Sequence, residues 1–257
     1  MNPKANISVI FTTFNEAHNI KAAIDTVFEW ADDIIVVDSF SSDETTDIIK
    51  SYPTIRFFQR KYEGPADQKN WAIPKAKHPW VLLMDADERT TSEMRLEIDE
   101  ILRGSQNNPF DCYWMGFTHF FMGKQVRYSG WQNDKTIRLI RRDKCRYNDN
   151  RVHEEINKDG LNVGYIKNKF QHYTFKDIQH FVAKQERYAR WSAEDHDAKT
   201  GRITYFHLFF KPIFRFFKHF VLKKGFLDGK VGFVISAVAA WSVFLRYVYL
   251  RERRDRK

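Results

Sequence analysis

The chain has 257 residues, with 42 Lys or Arg against 33 Asp or Glu and a formal net charge of +9. This length, with 43% hydrophobic residues, excludes a disordered or fibrous protein and fits one large α/β domain, with or without an added segment. The excess charge lies in residues 202–257, which carry a net +10, whereas residues 1–201 carry −1. That basic tail also holds 14 of the 41 aromatic residues, so it indicates an anionic membrane surface as partner rather than nucleic acid.

Four apolar runs, alternating with residues at helical spacing, predict strands in the first part of the chain. They occupy residues 7–11, 33–37, 55–58 and 80–84. Buried strands that alternate with helices indicate a parallel sheet, and ligands of such sheets bind beyond the carboxyl ends of the strands. The polar residues predicted at those ends are Thr12, Thr13, Asp38 and Asp85.

Alternating polar and apolar residues predict a mixed or antiparallel extension of the sheet after residue 104. The segments are 111–117, 136–140 and 162–166, and residues 177–196 follow as a predicted helix. We therefore expect one domain over residues 1–200, with a parallel half at 1–104 and a mixed or antiparallel half at 105–200. The lone cysteines, Cys112 and Cys145, form no CxxC pattern and favour buried thiols in a reducing cytosol.

Residues 201–257 are predicted to form a helical tail that associates with the membrane. Residues 205–222 place basic side chains on one face of a helix and phenylalanines on much of the rest. Residues 231–245 form an apolar run that is shorter than the roughly 20 residues of a membrane span. From the sequence this run can cross the membrane marginally, lie on it or pack on the domain formed by residues 1–200. Because the run at 7–11 is too short for a signal peptide, we expect a cytoplasmic protein bound peripherally to the inner face of the membrane.

The strongest chemical feature is Asp85-Ala-Asp87, directly after the fourth predicted strand. Two carboxylates at this spacing form a hard oxygen site that suits Mg²⁺ or Mn²⁺ shared with a diphosphate. A solvated loop or a helix cap produces the same short pattern. The metal interpretation therefore depends on the neighbouring motifs.

Further motifs follow in a fixed order along nearly the whole chain. They are residues 7–16, residues 38–45, residues 64–70, Gly130-Trp131 with Asp134, Arg138-Leu-Ile-Arg141-Arg142, Arg151-Val-His153-Glu154 and residues 224–229. The set resembles the family 2 glycosyltransferases, and within them the lipopolysaccharide-core β-1,4-glucosyltransferase-like branch. The resemblance implies a GT-A fold, which is a Rossmann-like, mostly parallel sheet flanked by helices.

The resemblance implies that residues 1–200 form the catalytic domain, with a nucleotide-sugar-binding half at 1–104 and an acceptor-side half at 105–200. Thr13, Asn15 and Glu16 match the loop that holds the base and the ribose. Asp38 matches the carboxylate that contacts uridine or ribose, although an aspartate at a strand end can equally cap the next turn.

The same resemblance implies a diphosphate and metal site. Lys69 matches a lysine near the diphosphate, and Asp85 and Asp87 match the metal motif, with Asp87 as the direct ligand. Arg138, with its neighbours Arg141 and Arg142, is a candidate for contacting donor or acceptor phosphates. An exposed strand end is the alternative for the last two arginines.

Inverting sugar transfer needs a base that takes the proton of the acceptor hydroxyl. The family carries an acid after its Gly-Trp segment, and Asp134 matches it here. Glu154 is the alternative base. The family segment often reads Trp-x-Pro-Asp, whereas Trp131-Gln-Asn-Asp134 lacks the proline.

The resemblance therefore predicts an inverting, metal-dependent transferase that moves one hexose from a nucleotide sugar, such as UDP-glucose, to a lipid-linked saccharide. Two alternatives stay open at this point: a nucleotidyltransferase acting on a sugar phosphate, and a non-catalytic basic module that binds membranes. The first normally shows a Gly-rich basic loop after strand one, which is missing from residues 12–17. The sequence leaves the oligomeric state open.

Overall fold

A computed structural model describes residues 4–104, 108–148 and 155–256. Its contacts divide the chain into two compact units. The first comprises residues 1–117 and 134–172, and the second comprises residues 118–133 and 173–257. The predicted domain boundary after residue 200 stays a prediction, because compact packing units need not be domains that fold independently.

The first unit begins with strands that alternate with short helices, as the sequence predicts. These elements are β1 (Ala5–Thr13), α1 (Ile20–Asp25), β2 (Ala31–Asp38), α2 (Thr45–Lys50), β3 (Arg56–Gln59), α3 (Pro65–Ala72) and β4 (Trp80–Asp85). The four strands are parallel and lie in the order β3-β2-β1-β4. Helix α3 ends where Pro74 interrupts it, and a 3₁₀ turn follows at Ile73–Lys75.

The core of this unit lies on both faces of the sheet. Side chains of a strand alternate between faces, so Val9 and Phe11 belong to one hydrophobic cluster and Ile10 belongs to the other. All three are at most 1% exposed. Full burial of each such side chain contributes about 1.5–3 kcal/mol, which explains the uninterrupted apolar runs of β1 and β2.

An extension of the same sheet continues beyond β4. Its elements are β5 (Glu88–Arg89), α4 (Ser92–Arg103), β6 (Cys112–Phe121), β8 (Lys135–Arg141) and β9 (Val163–His172). The order runs β4-β8-β6-β9-β5, and β8 is antiparallel to both β4 and β6. Strand β5 pairs with the end of β9, which places Glu88 opposite His172.

The second unit contains the end of β6, the short strand β7 and the segment from residue 173 onward, which includes the predicted tail. Its elements are β7 (Lys124–Val126), α5 (Ile178–His196), α6 (Lys211–Phe217) and α7 (Gly229–Asp255). Single π-helical turns at Phe206–Phe210 and Lys218–Leu222 flank α6. Helix α7 packs against α5 and α6.

Helix α7, with the turn before it, spans Gly225–Asp255 and is long and apolar enough to cross a membrane by length and composition alone. The core helix of a soluble protein can pass the same test. Its buried residues include Val231, Ile235 and Val243, which join the hydrophobic clusters of this unit. Because only 33% of its most apolar 18 residues is buried inside the protein, the placement of residues 231–250 relative to a membrane stays a prediction.

Candidate active site at the carboxyl ends of the strands

The polar residues that end the parallel strands meet at one edge of the sheet. Thr13 of β1 pairs with Asp38 of β2, and Thr12 of β1 pairs with Asp85 of β4. This convergence follows from the parallel register, because each crossover helix returns the chain to the same starting edge. The sequence-based location of the site at this edge agrees with the geometry.

Asp85 lies at the centre of a charged cluster at this edge. One carboxylate oxygen, Oδ2, accepts a hydrogen bond from the Arg138 guanidinium. The other, Oδ1, lies 3.4 Å from Lys69 Nζ and accepts from the Thr12 hydroxyl at 3.4 Å. Lys69 and Arg138 are 4% and 5% exposed, so both cations are buried beside a carboxylate. Lys69 is therefore not part of an exposed helix face.

The buried charges shift the pKa values of their neighbours. Burial alone would raise the pKa of Asp85, but Arg138 and Lys69 outweigh burial and hold it well below its usual range. Glu88, which also accepts from Arg138, has its pKa raised to about 7 by complete burial. Its second oxygen accepts from the Asp85 backbone N–H at 3.0 Å.

Glu88 is a site residue that the sequence analysis missed. It follows the Asp-x-Asp motif directly, and its side chain is 0% exposed. A buried glutamate needs a charged partner, and Arg138 supplies it. The signal was present in the motif itself, because Glu88 is the next residue after Asp87, but its partner lies 50 residues away.

His172 is the second residue that the sequence analysis missed, and it lies near two candidate carboxylates of the first unit. Its Nε2 lies 3.3 Å from Asp87 Oδ2. A ring nitrogen of His172 and a carboxylate oxygen of Asp134 also lie within 4.8 Å. Although burial lowers the pKa of His172, Asp87 raises it above its ordinary value. No spacing rule in the sequence connects the end of β9 to Asp87.

The donor atoms around Asp87 fit a divalent cation. A carboxylate oxygen and an imidazole nitrogen face each other there, and both are ligands that Mn²⁺ accepts. Asp85 is a poorer direct ligand, since both of its oxygens already face cations or the Thr12 hydroxyl. The structure thus favours Asp87 with His172 as the pair that could hold a metal, and Asp85 as the residue that positions Lys69 and Arg138.

The predicted nucleotide loop is held by contacts between the ends of β1 and β2. Asn15 adopts a left-handed backbone conformation, with φ at 53°, that asparagine tolerates well. Its backbone N–H donates to Ser41 Oγ, and its Oδ1 accepts from the Ser42 backbone N–H. The backbone N–H of Glu16 donates to Thr45 Oγ1. These contacts fix the loop that follows β1.

Asp38 has the capping role that the sequence analysis kept as an alternative. Its carboxylate is fully buried and accepts from Ser41, through both the backbone N–H and the hydroxyl, and from Gln59 Nε2. The contact with a nucleotide stays a prediction. Asp38 also stabilises the loop that carries the contacts to Asn15.

Three buried polar atoms near this edge have no hydrogen-bond partner among the described residues. They are the hydroxyls of Thr13 and Tyr147 and the Nε of Arg138. Tyr147 lies beside the cluster, since Lys69 Nζ is 5.3 Å from its ring centre. Buried polar atoms in native proteins are almost always paired. Their concentration around Asp85 therefore favours a ligand-binding site.

The remaining predicted residues are placed as follows. Glu154 lies outside the described residues. Asp134 is exposed, and its backbone carbonyl accepts from the Phe117 N–H at 3.2 Å. Arg141 lies at the opposite edge of the sheet, 4.6 Å from the Trp80 ring, because β8 runs antiparallel to β4. Arg138 therefore belongs to the site and Arg141 does not.

A cavity of about 930 Å³ also lies at that opposite edge. Trp30, Trp80 and Arg141 are among its lining residues, and it contains no paired carboxylates. Cavity volume and chemistry thus point to different edges of the sheet. The carboxyl edge is the better candidate, because the buried charges and unpaired polar atoms are concentrated there.

Comparison with known sequences decides the family. Residues 8–174 match the family described as Glycosyl transferase family 2. The chain belongs to the family 2 glycosyltransferases. The match covers the whole candidate site, from β1 to just beyond His172, and favours sugar transfer over the nucleotidyltransferase and the non-catalytic module.

The sequence relatives of this glycosyltransferase extend over nearly its full length. An uncharacterised glycosyltransferase of Rickettsia typhi is 30% identical over 254 residues, which cover 96% of this chain and 87% of that protein. The lipopolysaccharide core biosynthesis glycosyltransferase LpsC of Rhizobium meliloti is 26% identical over 260 residues, covering 96% of this chain and 95% of LpsC. The resemblance to the lipopolysaccharide-core branch is thereby confirmed.

Solved structures confirm the GT-A-like fold. The mannosyltransferase PcManGT of Pyrobaculum calidifontis, determined with GDP-Man and Mn²⁺, aligns with a TM-score of 0.51 at 14% identity over 99% of this chain and 88% of its own. TarS of S. aureus aligns with a TM-score of 0.50 at 15% identity over 88% of this chain and 46% of its own. At this identity the likeness concerns the fold alone.

Proposed function

We propose that this glycosyltransferase moves one hexose, with inversion, from a nucleotide sugar such as UDP-hexose to a lipid-linked saccharide. The proposal rests above all on one observation. Asp85, Asp87, Asp134 and His172 converge with two buried cations at the carboxyl edge of the sheet. The relationship to LpsC supports a role in building a lipopolysaccharide core or a similar envelope saccharide.

The donor diphosphate is expected beside Lys69 and Arg138. Both side chains are buried. The Asp85 side chain that they contact is 36% exposed, so their positive charges lie close to solvent. Arg138 keeps an unpaired Nε, and the Thr13 hydroxyl is also unpaired among the described residues. An anionic donor would accept hydrogen bonds from these groups, and the charges of Lys69 and Arg138 would attract its diphosphate.

Asp87 and His172 would hold the divalent cation. When bound, Mg²⁺ or Mn²⁺ would neutralise the negative charge that develops on the leaving nucleoside diphosphate. Asp85 orients Arg138 and Lys69, and Glu88 fixes Arg138 from the buried side. The Mn²⁺ present with PcManGT is consistent with this cation type.

Asp134 is the proposed general base. Its carboxylate is exposed and takes the proton of the attacking acceptor hydroxyl, whose oxygen forms a bond to the anomeric carbon of the donor. The bond from that carbon to the diphosphate oxygen breaks on the opposite side, and the nucleoside diphosphate leaves with the electron pair. Attack opposite the leaving group inverts the anomeric configuration. Glu154 remains the alternative base.

The acceptor is proposed to be lipid-linked because one surface of the second unit suits a membrane. The α6 face, defined as Phe209, Phe210, Ile213, Phe214 and Phe217, is 47–64% exposed. Exposed lysines accompany it at Lys218, Lys223 and Lys224. Aromatic side chains beside basic ones favour the interface of an anionic bilayer. We therefore propose peripheral binding at the cytoplasmic face of the membrane.

The enzymatic part of the proposal is tested by a donor-hydrolysis screen. Purified full-length protein is incubated with UDP-glucose, UDP-galactose and GDP-mannose, with Mn²⁺, with Mg²⁺ or with a chelator. We expect release of UDP from one UDP-hexose, dependent on the cation. Asp87→Asn should abolish it, whereas Asp143→Asn, a change at an exposed acid, should not. Cation-independent hydrolysis, or full activity of folded Asp87→Asn, would contradict the metal assignment.

The membrane part is tested by flotation with vesicles that contain phosphatidylglycerol. Phe210→Ser/Phe214→Ser should reduce the bound fraction several-fold, because it removes two exposed rings from the α6 face. Leu96→Ser changes another residue that is 62% exposed, on α4, and serves as the matched control. Equal flotation of both variants would refute this face as the membrane contact.

A further inference from the structure

A second polar cavity lies entirely within the second unit and is not explained by the reaction described above. Its volume is about 250 Å³. Side chains from α5, α6 and α7 line it, together with Trp131 from the segment after β7. The π-helical turn at Lys218–Leu222 contributes His219. Single π turns inside helices occur frequently at functional sites.

The charges that line this cavity have one sign. Arg215 of α6 and Arg246 of α7 both face it, and no Asp or Glu is among its described lining residues. The described residues also place no carboxylate in an ion pair with either arginine, and the contacts of Arg246 are to hydroxyls. Its guanidinium donates to Ser192 Oγ at 3.5 Å and to the Tyr247 hydroxyl at 3.1 Å.

The two arginines are also close enough for their positive charges to repel each other. Burial, and then the charge of Arg246, lowers the pKa of Arg215. Arg246 keeps one buried donor, Nε, without a hydrogen-bond partner among the described residues. Two like charges and an unpaired donor in one cavity cost folding free energy unless an anion binds between them.

His219 does not add a third charge to this cavity. Its Nδ1 lies 3.0 Å from the carbonyl oxygen of Ser129, which can only accept, so Nδ1 carries the hydrogen. Burial and the charge of Arg215 lower the pKa of His219, and its Nε2 lies 3.3 Å from an Arg215 nitrogen. A neutral imidazole therefore accepts from Arg215 and holds its guanidinium in place.

The walls of the cavity suit a sugar ring. Trp131 and Tyr188 provide aromatic surface, and Gln185 and Ser242 provide hydrogen-bonding groups. Flat aromatic walls with a few placed polar groups are typical of small-molecule sites. Trp131 also precedes the proposed base, Asp134, by three residues in the sequence. The cavity thus contains residues from the acceptor-side segment of the chain.

We propose that this cavity binds an anionic sugar residue of the acceptor, with Arg215 and Arg246 holding its phosphate or carboxylate group. This inference rests on the proposed function, because it names the chemical class of the acceptor for the same enzyme. Arg guanidinium groups bind phosphate and carboxylate through paired N–H donors. The site selects charged acceptor saccharides over neutral ones.

Calorimetric titration of the full-length protein with glucose 6-phosphate, glucose and inorganic phosphate tests the inference. Saturating UDP and Mn²⁺ are included so that the donor site is filled. We expect glucose 6-phosphate to bind at least tenfold more tightly than glucose. Arg215→Gln/Arg246→Gln should remove this preference, whereas Arg251→Gln, an exposed arginine of α7, should retain it. An unchanged preference in the folded double variant would overturn the proposal.

Two further measurements separate the possible outcomes. Should the double variant fail to fold, Arg215→Gln alone carries the test. If the arginine variant loses binding to phosphatidylglycerol vesicles but binds glucose 6-phosphate as the wild type does, the cavity is a lipid headgroup site and the saccharide assignment is overturned. UDP release from UDP-hexose, measured in parallel, reports the proposed function. Arginine-dependent binding without any UDP release would contradict sugar transfer but not the anion site.

Discussion

Each edge of the central sheet carries an aspartate held by cations, and the two arrangements differ in what they leave unsatisfied. At the amino edge, Asp33 accepts from Ser8 Oγ at 2.7 Å, from Arg56 at 3.1 Å and from the Lys77 backbone N–H at 2.9 Å. At the carboxyl edge, Asp85 is held by Arg138 and Lys69. The two residues thus have the same chemistry and similar partners.

The difference lies in exposure and in unpaired donors. The Asp33 side chain is 1% exposed, whereas that of Asp85 is 36% exposed. The buried unpaired donors on Thr13 and Arg138 lie near Asp85. A closed network of this kind stabilises the fold, whereas an open one retains binding capacity. The charges around Asp33 are therefore structural, and those around Asp85 are expected to be functional.

The largest expected effect is that of Arg138→Leu. It removes the cationic partner of Glu88, which is fully buried, and one of the two cations beside Asp85. We expect a loss of about 3–5 kcal/mol in the free energy of unfolding, measured by urea denaturation, together with loss of donor hydrolysis. Arg56→Leu at the amino edge should cost less, because Arg56 is 33% exposed. Equal losses of unfolding free energy in Arg138→Leu and Arg56→Leu would contradict the distinction between the two edges of the sheet.

Asp134→Asn is expected to slow sugar transfer by about 10²–10⁴-fold, the usual contribution of a general base. The melting temperature should stay within error of that of the wild type, because Asp134 is exposed. Transfer rates are measured at saturating donor, with Asp143→Asn as the control. Retention of full activity would transfer the role of base to Glu154.

Asp33→Ala is expected to lower the free energy of unfolding by about 2–3 kcal/mol, because it leaves Ser8 and the Lys77 N–H without their acceptor. Donor hydrolysis per folded molecule should be unchanged, since Asp33 lies at the amino edge. Urea denaturation and steady-state rates are compared on the same preparation. A decrease in rate without a change in stability would make Asp33 functional and contradict the comparison.

A smaller effect is expected when the unfolding free energies of the wild type and of Asp33→Asn are compared at different pH values. Although burial raises the pKa of Asp33, its hydrogen bonds and Arg56 lower it below the ordinary value. The ionised side chain therefore contributes stability above a pH of about 4, the pKa of an unfolded aspartate. The difference in unfolding free energy between wild type and Asp33→Asn should decrease as pH falls through the lower folded pKa. A constant difference between pH 5 and 3 would refute this.

Local pattern was sufficient for most elements of the fold. The continuous apolar runs of β1, β2 and β4 predicted a parallel sheet, because strands covered on both faces need no polar side. The alternation after residue 110 predicted the extension through β6, β8 and β9. Thr91 caps α4, since its hydroxyl accepts from the Met94 N–H. These features depend on neighbours within a few residues.

The candidate site was only partly predictable, because several of its contacts join residues that are remote in the sequence. Asp85 and Asp87 stand out because they are adjacent to a strand end. His172 and Glu88 do not, because their partners are remote in sequence: Asp87 lies 85 residues before His172, and Arg138 lies 50 residues after Glu88. The cation pair Arg215 and Arg246 likewise requires the packing of α6 against α7.

The sequence by itself determined the family, the parallel half of the sheet and the edge at which the acidic motif lies, because parallel crossovers place all strand ends together. Only the tertiary structure decided which charges are paired and which polar atoms stay unpaired. Charge pairing depends on distances between segments that are remote in sequence. Asp38, predicted to bind the nucleotide, thus appears as the cap of its own loop, and Asp85 appears as the residue that holds two cations in place.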